Sequence, residues 1–136
     1  MLKLPVFLTC LSVIIFLFAA VACVEMYTLE RAIARGFYTD LLDDMQDIGY
    51  LDAELESYYR EKMNELEWEA AKGDYFAGTW PREESLRAGK QVNDLVHLSL
   101  SIRPTRLSQW MHYLFEGERV FTFTGSRPSE YFDPEW

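Results

Sequence analysis

The hydrophobic pattern begins with twenty-one uncharged residues between Lys3 and Glu25. Residues 4–24 read LPVFLTCLSVIIFLFAAVACV, and thirteen of them are Leu, Ile, Val or Phe. As a helix this run would be about 31 Å long, which matches a hydrocarbon core about 30 Å thick. A chain of 136 residues has little material with which to bury a helix that is apolar on every side. The pattern predicts a single membrane-spanning helix, with residues 1–28 as the anchor.

The same run has two other interpretations, and both involve cleavage. Residues 20–23, AVAC, resemble the small-residue cleavage site of a signal peptide and also, loosely, a lipobox. Its first position is Ala, where a lipobox usually has Leu, Val or Ile. Lipoproteins generally continue with a polar spacer, whereas residues 24–30 continue a helical pattern. The sequence therefore favours an uncleaved anchor over a lipoprotein or a cleaved signal peptide.

The charges that flank the run do not decide its orientation. Lys3 and the α-amino group lie on one side and Arg31 and Arg35 on the other, so the positive-inside count is a tie. A long polar domain crosses a membrane largely regardless of its charge. Both cysteines, Cys10 and Cys23, lie inside the run, so the rest of the chain has no thiol to oxidise outside the cell. We expect residues 29–136 to form an exported domain on the outer side of the cell membrane.

An apolar stripe continues beyond the anchor at spacings of three and four residues, which is typical of an amphipathic helix. Its members are Leu29, Ile33, Phe37, Leu41, Met45 and Ile48. Gly49 is placed to end this helix, and Asp52 to cap a second one that ends at residues 72–74. We expect part of the stripe to pack against neighbouring subunits, namely Leu29, Ile33, Phe37 and Leu41.

The period then changes from helix to strand. Residues 96–103 alternate apolar and polar side chains and stop at Pro104, and residues 119–124 are rich in β-branched and aromatic residues and stop at Gly125. Residues 75–80 are a candidate third strand. A long helix followed by a small antiparallel sheet predicts the α+β class.

Between the two clear strands lies a short amphipathic segment with helical spacing. Its apolar positions are Leu107, Trp110, Met111, Leu114 and Phe115. One interpretation is core packing against the sheet. The other is an exposed apolar ridge that docks on a neighbouring subunit or touches the outer membrane surface. Trp110 and Tyr113 suit an interface because each has an apolar body and a polar tip.

Charge and composition exclude several classes of function. Residues 25–136 hold all twenty-two acidic residues and twelve of the thirteen basic ones, a net charge of −10 that repels nucleic acid. Asp40, Asp43, Asp44 and Asp47 lack the glycine and the terminal glutamate of a Ca²⁺ loop. The two histidines, His97 and His112, have no nearby cysteine and no nucleophile motif. We therefore expect no enzyme, no metal site and no cofactor.

Three short motifs, in order, resemble the TadE-like minor pilins of tight-adherence pili and related families encoded beside conjugation genes in Gram-positive bacteria. Residues 47–55, DIGYLDAEL, resemble the entry into the second helix of such proteins. Residues 89–98, GKQVNDLVHL, resemble the start of their main strand, and residues 121–130, FTFTGSRPSE, resemble their last strand. Two departures are the acidic and aromatic residues 131–136 and the lack of a glutamate near the start of the span.

The resemblance implies a pilin-like fold and a structural, membrane-anchored subunit of a pilus, secretion or conjugation apparatus. Its partners would be the lipid bilayer and other membrane or pilus subunits, as a homo- or hetero-oligomer. The alternative is a membrane-tethered or lipoprotein domain that binds a soluble ligand.

Overall fold

The computed structural model describes residues 2–89 and 94–132, and it confirms the predicted α+β class. The helices are α1 (Lys3–Ile48), α2 (Ala53–Glu65) and α3 (Arg106–Glu116). The strands are β1 (Glu69–Ala70), β2 (Leu95–Arg103) and β3 (Phe121–Pro128), with one turn of 3-10 helix at Glu84–Leu86. A long apolar helix therefore precedes two shorter helices and a small sheet.

The first helix, α1, runs through 46 residues without a break, so the predicted extension of the apolar run is confirmed. Its most apolar 18-residue window has a mean hydropathy of 2.8, and none of that window is buried by the rest of the chain. By length and composition α1 is able to cross a membrane. The helix ends where the sequence predicts, because Gly49 adopts a left-handed φ of +92° and its amide donates to the Met45 carbonyl at 2.6 Å.

The sheet is antiparallel in the order β1-β2-β3, with Leu95 opposite Pro128 and Ile102 opposite Phe121. The alternation predicted for β2 holds, since its apolar side chains are buried on one face: Val96, Leu98, Leu100 and Ile102. That face belongs to the same core as the second half of α1, which contributes Leu41, Leu42 and Met45. The sheet thus packs along the part of α1 beyond the uncharged run, and at its near end Phe121 lies 6.1 Å from Tyr27 between ring centroids.

The second helix begins where predicted but ends earlier. Asp52 caps it by accepting a hydrogen bond from the Glu54 amide at 3.4 Å. The expected end at residues 72–74 is wrong, because Glu67 adopts a left-handed φ of +62° and the chain leaves the helix there. That turn directs Trp68 into the core and leads into β1.

The sequence suggested residues 75–80 as the third strand, and this is wrong. The third strand is β1. Residues 75–78 form turns, and only Trp80 makes a bridge to the sheet, opposite His97. β1 is two residues long and pairs with the end of β2, where Glu69 lies opposite Arg103. So short a strand has no alternation for a sequence pattern to detect.

The last strand starts two residues later than predicted and runs through Gly125 to Pro128. Gly125 was interpreted as the end of the strand, and that is wrong. A Cβ at this position would collide with the hydroxyl of Tyr38. The Tyr38 ring stacks on Phe123, with 5.6 Å between the ring centroids. Glycine leaves room here for the Tyr38 side chain of α1, which lies close over the strand.

Gly49 provides a test of the end of α1. Gly49→Ala should destabilise the fold because alanine must adopt a left-handed φ and its Cβ would meet the Ala88 carbonyl oxygen. Gly73→Ala is the matched control, since it also has a positive φ but no atom within 4 Å of the added carbon. The control should cost about 1–2 kcal/mol and Gly49→Ala clearly more, as measured by urea unfolding of the detergent-solubilised chain. Equal costs would contradict the packing argument.

Candidate functional site

The third helix meets α1 just beyond the uncharged run. Tyr27 lies three residues after Val24 and is buried, with 5% of its surface exposed. Its hydroxyl lies 2.7 Å from His112 Nδ1, and its ring stacks on Phe115 at 5.8 Å between centroids. Cys23, inside the run, also packs against the core. The folded domain therefore reaches down to the last turn of the uncharged run.

Glu30, one turn farther along α1, joins three segments of the chain. Its carboxylate accepts hydrogen bonds from Trp68 Nε1 at 2.6 Å, from the Thr105 amide at 2.9 Å and from the Thr105 hydroxyl at 2.8 Å. The Ser108 hydroxyl donates a fourth. Trp68 and Ser108 are both buried, so their donors depend on this carboxylate for a partner.

This arrangement caps α3 from another helix. Thr105 is the N-cap residue of α3 but its side chain makes no cap hydrogen bond, and Ser108 stands at the third helical position. A capping box has Glu or Gln at that position, which binds the N-cap amide. Here Glu30 takes that amide, and its charge lies beside the positive end of the helix dipole.

The sequence did not identify Glu30, which looked like an ordinary polar residue beside the apolar stripe. The available signal was the incomplete capping box at residues 105–108, which lacks an acid at its last position.

His112 faces the same junction from α3. It is buried, and Phe121 meets its ring edge-on at 5.0 Å between centroids. Its Nδ1 atom shares a hydrogen bond with the Tyr27 hydroxyl at 2.7 Å, in which the tautomer of the ring decides the donor. Burial lowers the pKa of His112 below its usual 6.5, and the charge of Arg31 adds to this effect, while Glu116 and Glu118 oppose it.

The stripe predicted to pack between subunits divides into two parts in the structure. Leu41 lies in the core of its own domain, and Phe37 is half-buried against the rings of Tyr59 and Trp68. Leu29 keeps 63% of its surface exposed and Ile33 36%. Of the four predicted positions, the two nearest the uncharged run are the most exposed, although most of Ile33 is covered by the chain itself.

The amphipathic segment forms α3 as predicted, and its apolar residues also divide into two sets. Met111 is buried and Leu107 is half-buried, as the core interpretation expects. Trp110, Leu114 and Phe115 each keep more than half of their surface exposed. The exposed-ridge interpretation therefore fits these three residues.

The acidic cluster and the second histidine take part in contacts within the domain. Asp43 pairs with Arg127, and Asp44 accepts from the Tyr59 hydroxyl at 2.9 Å. Within residues 2–89 and 94–132, no group of three or more His, Cys, Asp or Glu side chains is arranged to hold a metal ion. On the sheet surface, His97 lies 2.8 Å from the Ser126 hydroxyl and stacks on Trp80.

Removing the Glu30 carboxylate should loosen the junction. We expect Glu30→Ala to lower the free energy of unfolding by about 2–4 kcal/mol, because buried donors lose a charged acceptor. Glu25→Ala, which removes an exposed glutamate from the same helix, should change it by less than about 0.5 kcal/mol. Denaturant unfolding of both variants measures the difference. A small effect of Glu30→Ala would mean that water satisfies these donors equally well.

The lowered pKa of His112 predicts that the domain loses stability in acid. The unfolded chain takes up a proton near pH 6.5, whereas the folded state resists it until a lower pH. This part of the stability is complete above about pH 6.5, the pKa of the unfolded chain. It declines as the pH falls from there toward the lower pKa of the folded state. Unfolding measured between about pH 5 and 8 should show the decline in the native chain and a weaker one in His112→Gln. An identical decline in both would assign it to other groups.

Comparison with known proteins gives no match to any family model, any curated protein or any solved structure. The resemblance to the TadE-like minor pilins therefore stays a prediction from three short motifs. One of these motifs includes residues 90–93, which lie outside the described residues.

Proposed function

We propose that this chain is a single-pass membrane protein that acts as a structural subunit and packs laterally against other membrane subunits. The carrying observation is an apolar surface on α1, just beyond the uncharged run, that its own domain leaves open. We call it the α1 stripe and define it as Met26, Leu29 and Ile33. Such a subunit resembles a minor pilin or pseudopilin of a pilus, secretion or conjugation apparatus.

Two features of α1 support insertion into a bilayer. The first is its length and hydropathy with no burial by the domain. The second is that its polar side chains are satisfied within the helix, since the Thr9 hydroxyl donates to the Pro5 carbonyl and the Ser12 hydroxyl to the Leu8 carbonyl, each at 2.8 Å. In lipid, where no water is available, such internal pairing removes the cost of a bare hydroxyl.

The position of the α1 stripe supports lateral packing. Its members follow each other at spacings of three and four residues, so they lie on one side of the helix. That side adjoins the half-buried Phe37, and on it Met26 and Leu29 keep 60% and 63% of their surface exposed. A helix that leaves the bilayer beside this surface would present it to a neighbouring helix that leaves the same bilayer. Burial of exposed Leu, Ile or Met side chains contributes about 1.5–3 kcal/mol each at most.

We place the domain on the outer side of the membrane, as the sequence suggested. A folded domain with a net charge of −10 follows the span, and long domains cross largely regardless of their charge.

Protease added to cells stripped of their wall should digest the domain. Its protection until the membrane is broken would reverse this orientation.

Site-specific photo-crosslinking tests the lateral contact in the native membrane. A photoreactive residue in place of Leu29 should give discrete protein adducts in the full chain. The same residue in place of Thr28 is the matched control, because Thr28 is exposed at the same distance from the span but lies about 100° away around the helix. Few or no adducts are expected there.

A second variant links the adducts to the stripe. Ile33→Asp places a charge in the proposed contact and should abolish the Leu29 adducts while the domain stays resistant to protease. If Leu29 gives no discrete adduct in the native chain, lateral packing is wrong, and a monomeric tethered domain becomes the better account. Loss of protease resistance in Ile33→Asp would instead assign this residue to the fold of its own domain.

A further inference from the structure

We infer that α3 lies on the surface of the bilayer that α1 crosses, with Trp110 and Leu114 in contact with lipid. This inference rests on the proposed membrane anchoring but not on the proposed lateral packing. The contact of α3 would be the second contact of the domain with the membrane, and it would fix the orientation of the domain relative to the bilayer.

The depth of α3 follows from its contacts with α1. Tyr27, which stacks on Phe115, lies about 4.5 Å along the helix axis beyond Val24, the last residue of the uncharged run. The headgroup region on each side of the hydrocarbon core is about 5–7 Å thick. Because the core of the domain also reaches Cys23, α3 packs on α1 at the level of the lipid headgroups.

The orientation of α3 follows from an ion pair on its opposite side. Glu116 lies 3.5 Å from Arg31, which is one turn farther from the span than Tyr27, so this side of α3 is turned away from the membrane. Leu114 and Glu116 are two residues apart, which corresponds to a rotation of about 200° around the axis of an α-helix. Leu114 is therefore turned back toward the span, and Trp110, one turn earlier, lies on the same side.

The chemistry of this surface fits a lipid interface. Trp110 and Leu114 are each exposed over more than half of their surface. Trp and Tyr are enriched where hydrocarbon meets water, because the ring is apolar and its tip is polar. Phe115 is exposed as well and stacks on the buried Tyr27, so exposed apolar surface of α3 lies next to α1.

The charges around α3 favour a zwitterionic lipid surface over an anionic one. Arg31 is paired with Glu116, and the Arg119 guanidinium lies over the Tyr113 ring at 5.2 Å from its centroid. The exported part of the chain carries a net charge of −10, which repels anionic headgroups. Contact driven by apolar burial needs no anionic lipid.

Spin labelling of the full chain in phosphatidylcholine vesicles tests the contact. Cysteines are introduced one at a time by Trp110→Cys or Leu114→Cys, with Cys10 and Cys23 replaced by alanine. The control for water is Tyr58→Cys, because Tyr58 is exposed on α2 and its neighbour Tyr59 bonds Asp44, twenty residues beyond the span. The control for lipid is Ile14→Cys, near the middle of the uncharged run. Collision of the label with oxygen, which prefers lipid, and with a water-soluble nickel complex is then measured.

The expected result is that labels at 110 and 114 collide readily with oxygen and several-fold less with nickel than the label at 58. If they behave like the label at 58 while the label at 14 is lipid-exposed, the inference is wrong and the anchor stands. If they are immobile and shielded from both reagents, protein covers α3 and the inference is also wrong. A label at 14 that collides freely with nickel would overturn the anchoring and, with it, the contact of α3.

A charged substitution provides a second measurement that does not depend on the labelled position itself. Leu114→Glu should draw this face of the domain away from the lipid while α3 stays packed on α1, and it should increase the nickel collisions of the label at 110 several-fold. Tyr58→Glu is the matched control and should leave them unchanged. An unchanged label at 110 in Leu114→Glu would overturn the proposed contact.

Discussion

The carboxylate of Glu30 is the interaction on which the lower part of the molecule depends. It lies six residues beyond the end of the uncharged run and is only partly exposed, so donors from the protein must replace much of its water. Trp68, Thr105 and Ser108 supply four hydrogen bonds. A bond to a charged acceptor contributes about 1.5–3 kcal/mol, which offsets the loss of hydration. Trp68 directly precedes β1, and Thr105 and Ser108 lie at the start of α3. The same carboxylate therefore sets where both segments meet α1.

Different kinds of side chain are exposed near the uncharged run and around α2. Near the uncharged run, the exposed side chains include the α1 stripe and the outer face of α3. Farther away, α2 is joined to the following segment by ion pairs, in which Arg82 lies 2.8 Å from Glu56 and 2.7 Å from Asp74. Apolar side chains are exposed elsewhere on the domain as well, among them Trp80, Leu86 and Leu95. The two proposals therefore rest on the nearness of the α1 stripe and of α3 to the uncharged run, together with their exposure.

The two surfaces have different relations to the fold. The α1 stripe lies on a helix whose other face is already packed, so a charge at Leu29 removes little from the core. The surface of α3 lies opposite Met111 and His112, which are buried, and is held by the contacts of Tyr27 and Glu30. A change at Trp110 or Leu114 therefore alters an outer face, whereas a change at Glu30 alters the position of the whole helix. This difference allows the membrane contact and the stability of the domain to be separated.

The sequence alone determined the features that depend on local patterns. The uncharged run and the stripe after it predicted one continuous α1, Gly49 and Asp52 predicted the end of one helix and the start of the next, and the period of two predicted β2. Each of these follows from residues within a few positions of one another, so no knowledge of the fold was needed.

Only the tertiary structure decided the features that depend on distant partners. Gly125 lies within a strand that pairs with β2 and has the Tyr38 hydroxyl close over it, and beyond the early end of α2 the buried Trp68 bonds Glu30. The same holds for two apolar residues of α1 that look alike in sequence, since Leu41 is buried and Leu29 keeps 63% of its surface exposed. The pattern shows that a side chain is apolar, but which surface covers it depends on residues distant in the chain, such as Tyr27 and His112, which are 85 positions apart.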